Sequence, residues 1–180
     1  LIISIAGALI FIALLSYSPE DPNFIFPDNK EIKNILGFHG SFVSDLFLQS
    51  FGLMSYLISF TFIITGINIF RTKEFFLIVE NIFFSIAYLI FGTLLLAFFY
   101  SNTFTLYING NGGFVGSYLN TTFLNSIIQI NQIIFYYILI ILTIVLFLIS
   151  LNFHPIKFYE TVRNLLNLLN KKNNKNYTNK

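Results

Sequence analysis

The chain has 180 residues, 56% of them hydrophobic and only 10% charged, with a formal net charge of +2 and no cysteine. Soluble domains carry about 25% charged residues, so this composition excludes a soluble enzyme, a disordered tail and a disulfide scaffold. At about 20 apolar residues per membrane-spanning helix, there is room for four spans and their loops.

The first apolar run, Leu1 to Tyr17, has no charge. At about 1.5 Å per residue it falls short of the roughly 30 Å hydrocarbon core, which predicts a first span that is truncated in this sequence. A cleaved signal peptide fits less well, because a basic n-region is missing and Ser16-Tyr17-Ser18-Pro19 is a poor cleavage site. Ser18 to Asp45 sets Glu20, Asp21, Asp28, Glu31 and Asp45 against Lys30 and Lys33, a net charge of −3. Pro19, Pro22 and Pro27 forbid helix continuation there, so the segment reads as an aqueous loop. A second span is expected over Leu46 to Phe70, with Asp45 at its N-terminus, where the helix dipole favours a carboxylate. Arg71-Thr72-Lys73-Glu74 makes a polar turn. The third span runs from Phe75 to Tyr100, with Glu80 about one turn in, within reach of headgroups or of Arg71 and Lys73. Ser101 to Gln132 is uncharged but broken by Asn109-Gly110-Asn111-Gly112-Gly113, and the fourth span is Ile133 to Leu151.

Eight of the ten Lys and Arg residues lie in the 71–73 turn and beyond residue 156, and the other two are Lys30 and Lys33. The positive-inside rule then places that turn and both termini in the cytoplasm. Beyond Pro155, Phe158, Tyr159, Val162, Leu165, Leu166 and Leu169 share one helical face, which predicts an interfacial amphipathic helix. Packing on a neighbouring subunit is an equally physical use of that face. Lys171 to Lys175 reads as the start of a polar linker.

Small residues mark where helices approach closely in lipid. Gly52, Ser55, Ser59 and Gly66 fall at i, i+3, i+7 and i+14 in the second span, and Ala6, Gly7 and Ala13 lie in the first. The fourth span has few such residues and is expected to be the most lipid-exposed. Gly112, Gly116 and Asn120, spaced by four, suit a short outside helix packed tightly on a span, or serve simply as loop punctuation. Gly40-Ser41-Phe42-Val43 resembles Gly112-Gly113-Phe114-Val115, and Tyr17-Ser18 matches Tyr100-Ser101. This pattern suggests two helical hairpins related as parallel repeats.

Signals for chemistry are absent. The glycines of 110–116 are not followed by the Lys of a phosphate loop, and His39 and His154 have no acidic cluster near them. No catalytic, metal or cofactor residue is assigned.

The loop motifs identify a family resemblance. Leu14-Leu15-Ser16-Tyr17-Ser18-Pro19-Glu20-Asp21-Pro22-Asn23-Phe24 resembles the L-L-S-[FY]-x-P-x-D-P-x-[WF] segment after the first helix of the FtsK/SpoIIIE DNA translocases. Ile35 to Phe47, with Gly37, Gly40 and Asp45, resembles that family's entry to the second span, and Phe51 to Tyr56 its F-G-x-x-[AS]-Y. Gly112 to Leu119, with Gly113, resembles its G-G-x-[IV]-G-x-x-[LI]. The motifs occur in family order over roughly residues 1–153. Departures are Asn34-Ile35 ahead of Leu36-Gly37, Ser41 and Ser44 for Ala, and Phe24 for Trp.

The expected fold is an all-α membrane protein with four transmembrane helices in two hairpins (1–153) and a cytoplasmic juxtamembrane helix and linker (154–180). By resemblance this segment would be the membrane anchor and division-site targeting domain of a septal DNA translocase of the inner membrane. It would not itself be an enzyme, and the ATPase motor would lie beyond Lys180. The implied partners are the lipid bilayer, further copies of the chain (a hexamer through the motor) and other septal membrane proteins, with DNA reached only through the motor. The competing reading is a subunit of a small transporter or channel, which requires polar residues along a midplane path.

Overall fold

The computed structural model describes residues 1–22, 31–101, 109–153 and 163, and among these every regular element is helical. The helices are α1 (Ile2–Leu15), α2 (Gly37–Phe51), α3 (Ser55–Thr72), α4 (Leu77–Phe99), α5 (Gly113–Asn120), α6 (Phe123–Ile130) and α7 (Gln132–Ser150), with one 3₁₀ turn, Gly52–Met54, between α2 and α3. α4, α7 and the α2–α3 run are long and apolar enough to cross a membrane, and α1 is a shorter apolar helix. In lipid such segments must satisfy their own backbone groups, and a helix does so within the segment.

The four apolar helices form two hairpins, as the sequence implies. α1 packs along α3 and α4 along α7, and these are the most extensive contacts in the molecule. Both pairs are antiparallel: Leu14 lies by Tyr56 and Ser4 by Ile63 in the first, and Tyr100 by Tyr136 and Tyr88 by Phe147 in the second. The outer elements repeat as well, with α2 lying on α1 and α5 on α4. A buried cluster of Met54, Ile58, Tyr88 and Leu89 joins the hairpins. One end of the bundle, the loop end, holds the α1–α2 connection, α5 and α6. The opposite, turn end holds Arg71 to Glu74 and the last residues of α7.

Local chemistry sets the ends. Thr122 caps α6 by accepting from the Leu124 N–H at 3.3 Å, and Asn131 caps α7 by accepting from the Ile134 N–H at 3.1 Å. α3 stops at Lys73, whose φ of 61° is left-handed. α4 and α7 begin and end within two residues of the predicted third and fourth spans. α7 buries only Leu139, Thr143 and Ser150, and turns most of its Ile side chains outward.

The second span differs from the reading over Leu46 to Phe70. Helix begins at Gly37 and is interrupted at Gly52, where φ is 57° and ψ is −140°, a conformation that glycine alone adopts readily. Hydropathy runs unbroken through that point, so the interruption left no compositional mark. The predicted juxtamembrane helix and linker lie outside the described residues, apart from Arg163, which is exposed.

Candidate functional site

The loop end is assembled around two asparagines and one carboxylate. Pro19 lies in a turn closed by the Asp21 N–H on the Ser18 carbonyl, which points the Asp21 side chain back into the protein. Asp21 is 4% exposed, and its two oxygens accept separately from the Lys33 N–H at 2.9 Å and the Asn34 N–H at 2.8 Å. These charge-assisted bonds pin the chain where it returns from the 23–30 segment. Asn34 then donates to the Ala13 and Ser16 carbonyls, at 2.9 and 3.3 Å, covering the orphan carbonyls at the end of α1. Gly40 leaves the space that Asn34 fills, because a Cβ there would overlap the Asn34 Oδ1. Ser41 donates to the Pro22 carbonyl at 2.9 Å. Gly37, with φ 65°, turns the chain into α2. On the surface the Lys33 ammonium pairs with Glu20, which raises its pKa above the ordinary lysine value.

The second hairpin repeats one of these devices: Asn111 donates to the Tyr100 carbonyl at the end of α4. Its main-chain oxygen also accepts from the Leu53 N–H at 2.9 Å, across the hairpins. Here Gly52 and Gly113 meet backbone to backbone. A Cβ on Gly52 would lie 1.9 Å from the Asn111 carbonyl oxygen, and one on Gly113 would lie 2.5 Å from the Gly52 nitrogen. Gly113 also has a positive φ of 64°. Gly112 and Gly116 rest on α4, where added Cβ atoms would come within 2.5 and 2.4 Å of the Thr93 carbonyl oxygen.

Gly52 therefore does not share a helical face with Ser55, because the break lies between them. Ser55 secures that break by donating to the Phe47 carbonyl at 2.7 Å. Ser59 and Gly66 do face α1: Gly7 nests against the Ser59 carbonyl and Phe62, and Gly66 against Ser4.

The turn end is joined differently, through side chains. Thr61 on α3 meets the Tyr88 hydroxyl of α4 at 3.1 Å and the Ser150 hydroxyl of α7 at 3.4 Å. Asn81 on α4 donates to Thr65 at 2.7 Å and accepts from Asn152 at 2.9 Å. Asn68 donates to the Leu151 carbonyl at 3.1 Å. This buried seam ties the three helices α3, α4 and α7. The sequence shows Asn34 and Asn111 only as parts of loop motifs and does not single out Asn81 or Asn152, although each is a polar residue at the edge of an apolar run. Glu80, read as reaching headgroups or the turn's cations, is exposed near the start of α4.

Asp45 requires a correction. It lies inside α2, eight residues past the start, so the dipole at a helix N-terminus is not what holds it. It is 9% exposed, and one oxygen accepts from Tyr17 at 3.3 Å and from Gln49 at 3.5 Å. Gln49 is itself held by the Asn109 side chain at 3.1 Å. Asp45 and Gln49 line a cleft of about 410 Å³ with Phe42, Leu46, Ser50, Asn109 and Phe114. Both hairpins contribute to its walls. Among the described residues no three His, Cys, Asp or Glu side chains come together.

Comparison with known proteins follows the same lines. The family described as the 4TM region of DNA translocase FtsK/SpoIIIE matches residues 1–163. The DNA translocase FtsK of Rickettsia bellii is 26% identical over 81% of the chain and 19% of its own length. That of Shewanella oneidensis is 30% identical over 69% of the chain and 14% of its own length. That of Rickettsia prowazekii is 37% identical over 37% of the chain and 9% of its own length. The chain thus spans less than a fifth of each of these relatives. No solved structure matches it.

Proposed function

The chain belongs to the FtsK/SpoIIIE four-transmembrane family, a multi-pass inner-membrane domain, and on that premise we propose that it anchors a DNA-translocating motor at the division site. The match over residues 1–163, on a bundle of two self-contained hairpins, carries the reading. Each hairpin packs its own two helices together and a buried cluster joins the hairpins, which makes the bundle a fixture to which a cytoplasmic machine can be tied. In this reading the 71–74 turn and the C-terminal end of α7 face the cytoplasm, the loop end faces outward, and the ATPase lies further along the polypeptide. Insertion supplies the mechanism: it holds the motor at the membrane. DNA is handled by the motor and not by these helices.

The transporter reading gains no support from the polar seam. Thr61, Tyr88, Ser150, Asn81 and Asn152 hydrogen-bond to one another instead of lining an open path.

Reporter fusions at Lys73 and Lys175, together with a fluorescent fusion of the chain in dividing cells, test the proposal. Both reporters are expected on the cytoplasmic side, with fluorescence gathered in a band at midcell. Reporters on opposite faces would overturn the topology, and an even membrane distribution would overturn the targeting role.

A further inference from the structure

We propose that the cleft between α2 and the 109–114 segment docks the outer juxtamembrane segment of a partner membrane protein, one that carries a lysine or arginine among aliphatic or aromatic residues. The inference rests on the orientation proposed above, which puts this end outside.

The cleft, of about 410 Å³, is within the size range of small-ligand sites, roughly 300–1,000 Å³. Its walls are mostly apolar, from Phe42, Leu46 and Phe114, and the Leu46 and Phe114 side chains remain exposed at its rim. At its edge stands a carboxylate that is nine-tenths buried. Tyr17 and Gln49 both bond to the same Asp45 oxygen, and among the described residues neither a hydrogen bond nor a cation engages the other. A lysine or arginine that reached this second oxygen would add a charge-assisted hydrogen bond. The Asn109–Gln49–Asp45–Tyr17 chain of hydrogen bonds keeps the carboxylate in place for one.

The chemistry of the cleft selects among occupants. Among the described residues no Lys, Arg or His lines it, so a phospholipid headgroup would bring its phosphate beside Asp45 without a described cation to receive it. The 18–45 stretch of the sequence carries a net charge of −3, which disfavours anions further. Among the described residues of this end a second copy offers Lys33 as its cation, and Lys33 is engaged by Glu20. A partner with a basic residue set among apolar ones satisfies both the charge and the walls.

The test co-reconstitutes the chain in phosphatidylethanolamine/phosphatidylglycerol nanodiscs with a single-span, leucine-rich peptide ending in Leu-Arg-Phe or Leu-Gln-Phe, binding being read by energy transfer. The Arg peptide is expected to bind at least tenfold tighter. Asp45→Asn, which keeps an acceptor for Tyr17 and Gln49, is expected to erase that preference. Phe114→Ala is expected to weaken both peptides alike, and it keeps the test decisive should Asp45→Asn fold poorly. Equal binding of the two peptides, or an Arg preference that survives Asp45→Asn, would overturn the proposal. Native mass spectrometry showing a bound phospholipid, or a dimer, that is lost in Asp45→Asn would also overturn it, by assigning the cleft to lipid or to a second copy. Both nanodisc faces are accessible, so the peptide result is independent of topology and of midcell localisation, and failure of either reading is seen separately.

Discussion

The two ends of the bundle join the same hairpins by opposite means. At the loop end, backbone lies on backbone: Gly52 and Gly113 leave no room for a methyl group, and Gly112 and Gly116 bring α5 onto the Thr93 carbonyl. At the turn end, α3, α4 and α7 are linked by hydroxyl and amide side chains that bond to one another. The first device is steric and nearly all-or-none, whereas the second is a sum of modest interactions. Interhelical hydrogen bonds in membranes average only about 0.6 kcal/mol, because the separated helices find other partners. The loop end should therefore fix how the hairpins sit, and the turn end should tune how tightly they close.

The sharpest way to break this contrast is Gly113→Ala. A methyl group there meets Ser50, Phe51 and Gly52 main-chain atoms in a left-handed conformation, so about 3 kcal/mol or more of unfolding free energy should be lost. Steric-trap unfolding in bicelles measures it, and a loss under about 1 kcal/mol would show that the crossing yields easily. Next in size is the seam. Tyr88→Phe removes the hydroxyl that meets Thr61 but keeps the ring that packs edge-on against Phe147, so about 0.6 kcal/mol is expected by the same assay. A loss as large as that of Gly113→Ala would erase the distinction between the two ends.

The smallest effect belongs to the surface. Glu20 raises the pKa of Lys33, so this pair's contribution is fully present below the ordinary lysine value and is lost as pH rises through the raised one. In Glu20→Gln, the Lys33 ammonium should titrate at lower pH by NMR, with melting at neutral pH scarcely changed. An unmoved titration would show that the pair does not persist in solution.

How much of this was legible follows from the reach of each interaction. The glycine run at 110–116 and the Pro19–Pro22 motif announce themselves, because glycine and proline constrain their own backbone wherever they stand. The spans were visible for the same local reason, since hydropathy accumulates along a segment. Gly52 was found but misread, because a glycine inside an apolar run looks alike as a packing notch and as a break. Asp45 was placed at a helix start because hydropathy steps up after it, whereas the helix had already begun at Gly37. The seam was hidden. Thr61, Asn81, Tyr88 and Asn152 sit far apart in sequence, and each becomes informative only once its partner's position is known.

The seam also decides how the bundle bears tension. A pull on the C-terminal end of α7, along the direction of chain that follows Ser150, reaches the yielding hydrogen bonds of Thr61, Asn68 and Asn81 first. The rigid crossing of Gly52 and Gly113 stands at the far end of the load path. A compliant link in series with a stiff one spreads a jerk over time, so repeated pulls on that end would strain the nearer joint and spare the farther one.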